Sequence, residues 1–320
     1  MDPVRQSIRS FLRFALPSAA PDVRIIERRS EDGYTRSLIR YSAQDGDQIE
    51  AFLFHPTHET PRGKVLALHQ HNSQWMIGKS EIAGLAGDPL QAFGPVLARL
   101  GVTVLAPDSI GFESRVTPPG WGTSLAPPLD RPYGSVDGWL QHYNQMAHRL
   151  VQGDLLMRKV LTDCATARLV LQNFEPTDAA PVGVLGHSYG GMLALFLAAL
   201  DTRVAFACSS GAASSFRYKL AHGIGLEMSL IIPGFAQRFD LDDLMRCVAP
   251  RRLLLVSSEE DPLTKDADDL FKAALPVFDA QNCAGHLQHL RFRGSHALDP
   301  ERFQAMVEWT VARSRDEQAS

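Results

Sequence analysis

The chain has little of what would mark it as anything but an ordinary globular protein. It carries four cysteines in 320 residues, Cys164, Cys208, Cys247 and Cys283. They are far apart and form no C-x-x-C pair, so they read as isolated thiols of a reducing compartment rather than a disulfide framework. Charge of one sign is not in excess: the formal net charge is −4. Nucleic-acid binding needs a basic face, so that partner class is excluded as an expectation. No apolar run approaches the ~20 residues of a membrane-spanning helix, so no membrane partner is expected. No internal repeat, low-complexity tract or H-E-x-x-H motif occurs. Near the N-terminus Arg13 interrupts the apolar residues Phe11 to Leu16, which does not suit a secretory core. Val4, Ile8, Phe11, Leu12 and Ala15 instead follow helical spacing and predict a short amphipathic helix. A cytoplasmic location follows as an expectation.

What remains is a composition of 45% hydrophobic and 21% charged residues, enough to bury a large core without staples. Arg24–Arg29, Ser37–Tyr41 and Gln48–His55 read as antiparallel strands joined at Asp32-Gly33 and Asp45-Gly46. The short apolar runs Val65–Leu68, Val102–Ala106, Val182–Leu185, Val204–Cys208 and Leu253–Val256 suit strands buried on both faces of a parallel sheet. Leu287–Phe292 reads as the last strand. Helical patterns lie between them, at Gln91–Leu100, Gln145–Asn173, Gly190–Leu200, Leu241–Cys247, Ala267–Phe278 and Pro300–Arg313. The alternation predicts one α/β domain over residues 1–320, a mostly parallel central sheet with an antiparallel N-terminal edge and helices on both faces. Two stretches, 112–140 and 212–240, are too long for plain connections and too aromatic for disorder. They are expected to cap a pocket at the strand ends, where open α/β sheets bind ligands.

The strongest motif is Gly186-His187-Ser188-Tyr189-Gly190-Gly191, between the run Val182–Leu185 and an apolar helix. A G-x-S-x-G turn in that strand–turn–helix setting lifts the serine hydroxyl above the sheet at a helix N-terminus. Serine needs a base in hydrogen-bond reach. With this turn the chain order is Ser, then Asp or Glu, then His. Among His222, His286, His289 and His296, only His296 lies in a loop between the last strand and the last helix. The acid should end the run Leu253–Val256; Asp261 is the choice because Pro262 marks a turn there, with Glu259 and Glu260 as runners-up. The loop His69-Gln70-His71-Asn72 ends an earlier strand. Backbone N–H groups of Gln70 or His71, with that of Tyr189, are the expected oxyanion donors. A rival reading has His69 and His71 as a zinc pair of a metal-dependent hydrolase.

With Ser188, Asp261, His296 and the His69 loop in order, the chain resembles the α/β-hydrolase superfamily over residues 35–313. The stretches Gly78-Lys79-Ser80-Glu81 to Gly87-Asp88-Pro89, and Ala106-Pro107-Asp108-Ser109-Ile110-Gly111-Phe112-Glu113, look like its dienelactone-hydrolase-related and acetyl-esterase-like branch. Two features depart from that pattern. Position 188 is serine where a dienelactone hydrolase carries cysteine, and the frequent His-Gly of the oxyanion loop is His69-Gln70. The resemblance implies a serine hydrolase cleaving a carboxylic ester of a small or medium acyl compound through an acyl-enzyme, with no cofactor. Thioesterase, peptidase or amidase, and acyltransferase are alternatives on the same residues, and a non-catalytic binding protein is a further one. Lys79, Arg115 and Trp75 are candidate substrate-binding residues, with a surface ion pair as the plainer reading of the two cations. The expected partner is a small-molecule ester; a homodimer stays open.

Overall fold

A computed structural model describes residues 2–57, 63–116, 135–174 and 180–316. Among them nine strands form one sheet in the order β1-β2-β3-β5-β4-β6-β7-β8-β9. β1 (Val23–Glu31), β2 (Tyr34–Ser42) and β3 (Gln48–Pro56) form an antiparallel meander, and β3 pairs antiparallel with β5 (Thr103–Pro107). From β5 onward, β4 (Lys64–Leu68), β6 (Val182–His187), β7 (Val204–Ser210), β8 (Arg252–Ser258) and β9 (Leu287–Phe292) run parallel. This is the expected sheet. β4, β5 and β6 are buried at every residue, as both-faced packing of apolar runs requires.

Among the described residues, ten α-helical segments accompany the strands. In chain order they are α1 (Pro3–Phe11), α2 (Lys79–Ile82), α3 (Phe93–Arg99), α4 (Ser135–Val151), α5 (Leu156–Asn173), α6 (Tyr189–Leu200), α7 (Phe216–Ala221), α8 (Leu241–Val248), α9 (Ala267–Ala280) and α10 (Pro300–Asp316). The hydrophobic core divides into two clusters, one on each face of the sheet. α6 is buried along its whole length, so its sequence is apolar all round rather than striped.

Two helical readings are refined. The pattern Gln145–Asn173 is two helices, because Gly153 adopts φ +72° between α4 and α5, a conformation glycine takes at little cost. The N-terminal pattern is the expected short helix, and its apolar side is docked on the domain. Asp2 caps it through the Val4 and Arg5 N–H groups, and Ile8 and Leu12 are buried. Arg5 donates to the Ala199 and Cys247 carbonyls at the C-terminal ends of α6 and α8, where the helix dipole favours a cation. The four cysteines are free and buried. No helix among the described residues is long and apolar enough to cross a membrane. Most of the segment 112–140 lies outside the described residues; 212–240 lies within them.

Candidate active site

The turn after β6 fixes the site. Ser188 has φ +55° and ψ −119°, a strained backbone for a non-glycine residue that recurs at functional sites. Its N–H donates to the Ser210 carbonyl at 2.8 Å, tying the turn to the end of β7. The neighbouring glycines make the turn possible. A Cβ at Gly186 would lie 2.3 Å from the Gly190 carbonyl carbon, and one at Gly190 would lie 2.0 Å from the Leu68 carbonyl oxygen. Neither backbone atom can yield.

Three elements meet at Ser188. His296, in the loop between β9 and α10, places Nε2 2.8 Å from Ser188 Oγ. Its Nδ1 lies 2.9 Å from Asp261 Oδ2. Asp261 follows β8 and is fully buried, and its other oxygen accepts from the Leu263 N–H at 2.8 Å. Glu259 and Glu260 are exposed. The remaining histidines after Ser188 are engaged elsewhere. His222 stacks on Tyr218, His286 bonds the Pro250 carbonyl, and His289 bonds Ser257 and faces Asp268. The structure thus brings Ser188, His296 and Asp261 together in one hydrogen-bonded line.

The floor behind them is histidine-rich but neutral. His187, wholly buried, bonds Ser210 Oγ at 3.0 Å and packs on the His296 ring at 5.0 Å. Burial and the neighbouring His296 hold it well below the ordinary histidine range. His71 is pushed down to about 4 by burial and by His69, and His142 to about 3 by burial and by His71.

The loop after β4 is set by its side chains. His69 Nδ1 donates to the Gln70 carbonyl at 2.7 Å, and Nε2 accepts from the Ser109 N–H at 3.1 Å. Both ring nitrogens are occupied by backbone groups, so His69 has none to offer a metal, and the zinc pair is not supported. Among the described residues no group of three His, Cys, Asp or Glu is arranged to hold a metal ion. The Gln70 side chain turns away into a bond to Glu81 at 2.9 Å, rather than adding a polar group to the pocket. Tyr189 opens α6, so its N–H has no intrahelical acceptor.

A cavity of about 330 Å³ opens over Ser188, a usual size for a small-molecule site. Trp75 lines it, as do His71, Trp139, Tyr189 and Met192. Residues 225–228 of the stretch after β7 complete its wall. Lys79 and Arg115 do not line it, contrary to expectation. Lys79 is buried against Asp108 at 2.7 Å and Glu113 at 2.6 Å. Arg115 is buried against Asp163 at 2.8 Å and Asp47 at 3.3 Å. Burial opposes the Lys79 charge, but its two carboxylates hold the ammonium above its ordinary range. Both cations are spent inside the protein. Sequence reasoning missed Lys219 and Glu227, which face the cavity. The connection 212–240 also carries Arg217, Arg238 and Asp240, so nothing local singled these two out.

A family model described as alpha/beta hydrolase fold matches residues 82–267. The chain belongs to this family. It is 25% identical over 287 residues to "Putative hydrolase YtaP" of Bacillus subtilis (strain 168), covering 88% of this chain and 87% of that protein. Among solved structures, the "putative acetyl xylan esterase" of Bacteroides fragilis NCTC 9343 superposes with a TM-score of 0.70 at 16% identity. That match covers 90% of this chain and 73% of the other. The glucuronoyl esterase from Solibacter usitatus gives 0.68 at 14% identity, covering 97% and 92%. At such identities the likeness concerns the fold.

Proposed function

We propose that this α/β hydrolase is a serine esterase that cleaves carboxylic esters of small or medium acyl groups through an acyl-enzyme. The observation that carries the reading is the continuous line Asp261–His296–Ser188, with contacts of 2.9 and 2.8 Å, ending in a cavity. Ser188 Oγ attacks the ester carbonyl while His296 Nε2 takes its proton. Asp261 fixes the ring so that Nε2 faces the serine, and stabilises the imidazolium. The N–H groups of Tyr189 and of Gln70 or His71 stabilise the oxyanion, each worth ~10²–10³ in rate. Collapse of the tetrahedral intermediate expels the alcohol, which takes the proton from His296 Nε2 and leaves an acyl ester on Ser188. Water then adds to that ester, giving its proton to Nε2. The acid departs as the proton returns to Ser188. Residues 225–230 act as a cap over the bound ester. We infer a cytoplasmic setting from the four free, buried thiols.

The structural relatives named above carry esterase names, which favours an oxygen ester over the alternatives. The test is a panel of acetyl and butyryl oxygen esters, thioesters and anilides, with kcat/KM measured for each. Oxygen esters lead the panel if the reading holds. An enzyme that turns over only thioesters or only anilides refutes it.

A further inference from the structure

Four lysines of this chain are buried: Lys64, Lys79, Lys159 and Lys219. The first three are neutralised or bonded within the protein. Lys64 donates to the Phe174 carbonyl at 2.8 Å, Lys79 meets Asp108 and Glu113, and Lys159 meets Asp45 at 2.6 Å and Asp47 at 3.0 Å. Lys219, on α7, is 5% exposed. Among the described residues, none comes within hydrogen-bond or ion-pair distance of its ammonium, and it lines the cavity over Ser188. A buried ammonium without acceptors is costly, so one held at a pocket wall has its acceptors supplied from the pocket.

The surroundings say which acceptors. Burial pushes the Lys219 ammonium below its ordinary range, opposed only at a distance by Glu227, Asp266, Asp240 and Asp261. Glu227 lines the same cavity, beyond ion-pair contact with Lys219, with one oxygen 3.5 Å from His71 Nε2. His71 Nδ1 accepts from the Ser73 N–H at 3.0 Å, so the neutral ring carries its proton toward Glu227. An anionic ligand on Lys219 would meet Glu227, and a cationic one on Glu227 would meet Lys219. A hydroxyl suits both, since it accepts from the ammonium and donates to the carboxylate. Trp75, Met192 and Leu226 supply apolar wall beside this pair.

We infer that Lys219 and Glu227 form a donor–acceptor clamp for uncharged hydroxyl groups, so that the preferred substrates are esters of polyhydroxylated compounds. This rests on the esterase reading of Ser188. The test compares three esters: glyceryl monoacetate, propyl acetate (the same skeleton without the free hydroxyls) and anionic monomethyl succinate. The wild type prefers glyceryl monoacetate to propyl acetate. In Lys219→Met that preference falls by about tenfold or more, the usual weight of a hydrogen bond to a charged group. In Glu227→Gln it falls less, because the amide still accepts. A wild type without the preference, or a preference that survives K219M, overturns the clamp alone. So does a loss in K219M that falls on monomethyl succinate, which would make Lys219 an anion reader. A wild type that hydrolyses none of the three overturns the esterase reading and the clamp with it. Should K219M fail to fold, wild-type inhibition decides. Erythritol competes with propyl acetate better than n-butanol does if the clamp is real, and no better if it is not.

Discussion

Two clusters of polar side chains sit at the carboxyl ends of the parallel strands, and they differ in what they leave open. One lies beyond β5, where Lys79, Asp108 and Glu113, then Arg115, Asp163 and Asp47, meet one another. Glu113 also accepts from the Gly78 and Ser80 N–H groups, and Asp108 from those of Lys79 and Ser114. The donors there have acceptors inside the protein. The other lies beyond β6 and β8, where Asp261, His296 and Ser188 line up and end at a cavity. Density of charge is the same kind of signal in both. The first cluster pairs its charges with one another and holds loops in place, although Arg115 and Asp47 also border a cavity of about 280 Å³. The second ends in a hydroxyl with nothing beyond it but the cavity. A nucleophile with a base in hydrogen-bond reach at a pocket, rather than burial or charge, separates chemistry from scaffolding here.

Changes in the open cluster should cost rate, and changes in the closed one should cost stability. The largest effect is expected from Ser188→Ala, which lowers kcat on oxygen esters by about 10⁶ while the unfolding midpoint stays put. Retention of more than a small fraction of the rate would move the nucleophile elsewhere. Asp261→Asn follows, with a loss of about 10⁴ in kcat and a folded protein, since the ring is then offered the wrong tautomer. Steady-state kinetics beside a circular-dichroism melt distinguishes this from collapse.

Lys79→Met should invert the pattern. Removing one partner leaves Asp108 and Glu113 as uncompensated buried carboxylates, at a cost of about 3–5 kcal/mol. Urea titration measures that loss, and a KM for small esters close to wild type would accompany it. A specific rise in KM without loss of stability would put Lys79 back among the substrate-binding residues.

The smallest change expected of a single variant is in a pH slope. His142 and His187, which are buried, and His71, which is partly buried, have folded pKa values held below the ordinary 6.5. Each binds a proton in the unfolded chain before it does in the folded one. Their contribution is therefore intact above about pH 6.5 and is lost as pH falls below it, by about 1.4 kcal/mol per pH unit for each histidine. For His71 the loss continues to about pH 4, its folded value. Thermal melts across that range should drop steeply, and His142→Phe should remove about one proton from the slope. An unchanged slope would mean His142 is already charged in the fold.

Much of this was legible in the residues. Apolar runs of four or five positions located the buried strands, since both-faced burial leaves no alternation to obscure them. The elbow was legible because steric demand at Gly186 and Gly190 leaves few other residues possible there. Asp261 could be separated from Glu259 and Glu260 because Pro262 turns the chain, and that turn buries one carboxylate while the others stay in solvent. The break between α4 and α5 was missed because amphipathic spacing runs through it; Gly153 was the local sign. Lys79 and Arg115 were misjudged because sequence shows a cation but not its partners, and Asp163 is 48 positions beyond Arg115 along the chain. Lys219 and Glu227 were passed over for the same reason, since only folding shows that they share a cavity without pairing with each other.

The central claim is that Ser188 is an activated nucleophile facing an open cavity. Intact-mass spectrometry after treatment with a fluorophosphonate, on wild type and Ser188→Ala, addresses it without knowledge of the substrate. A single adduct on the wild type and none on the variant is the predicted result. A folded wild type that takes no adduct, or a variant that takes the same one, would contradict it.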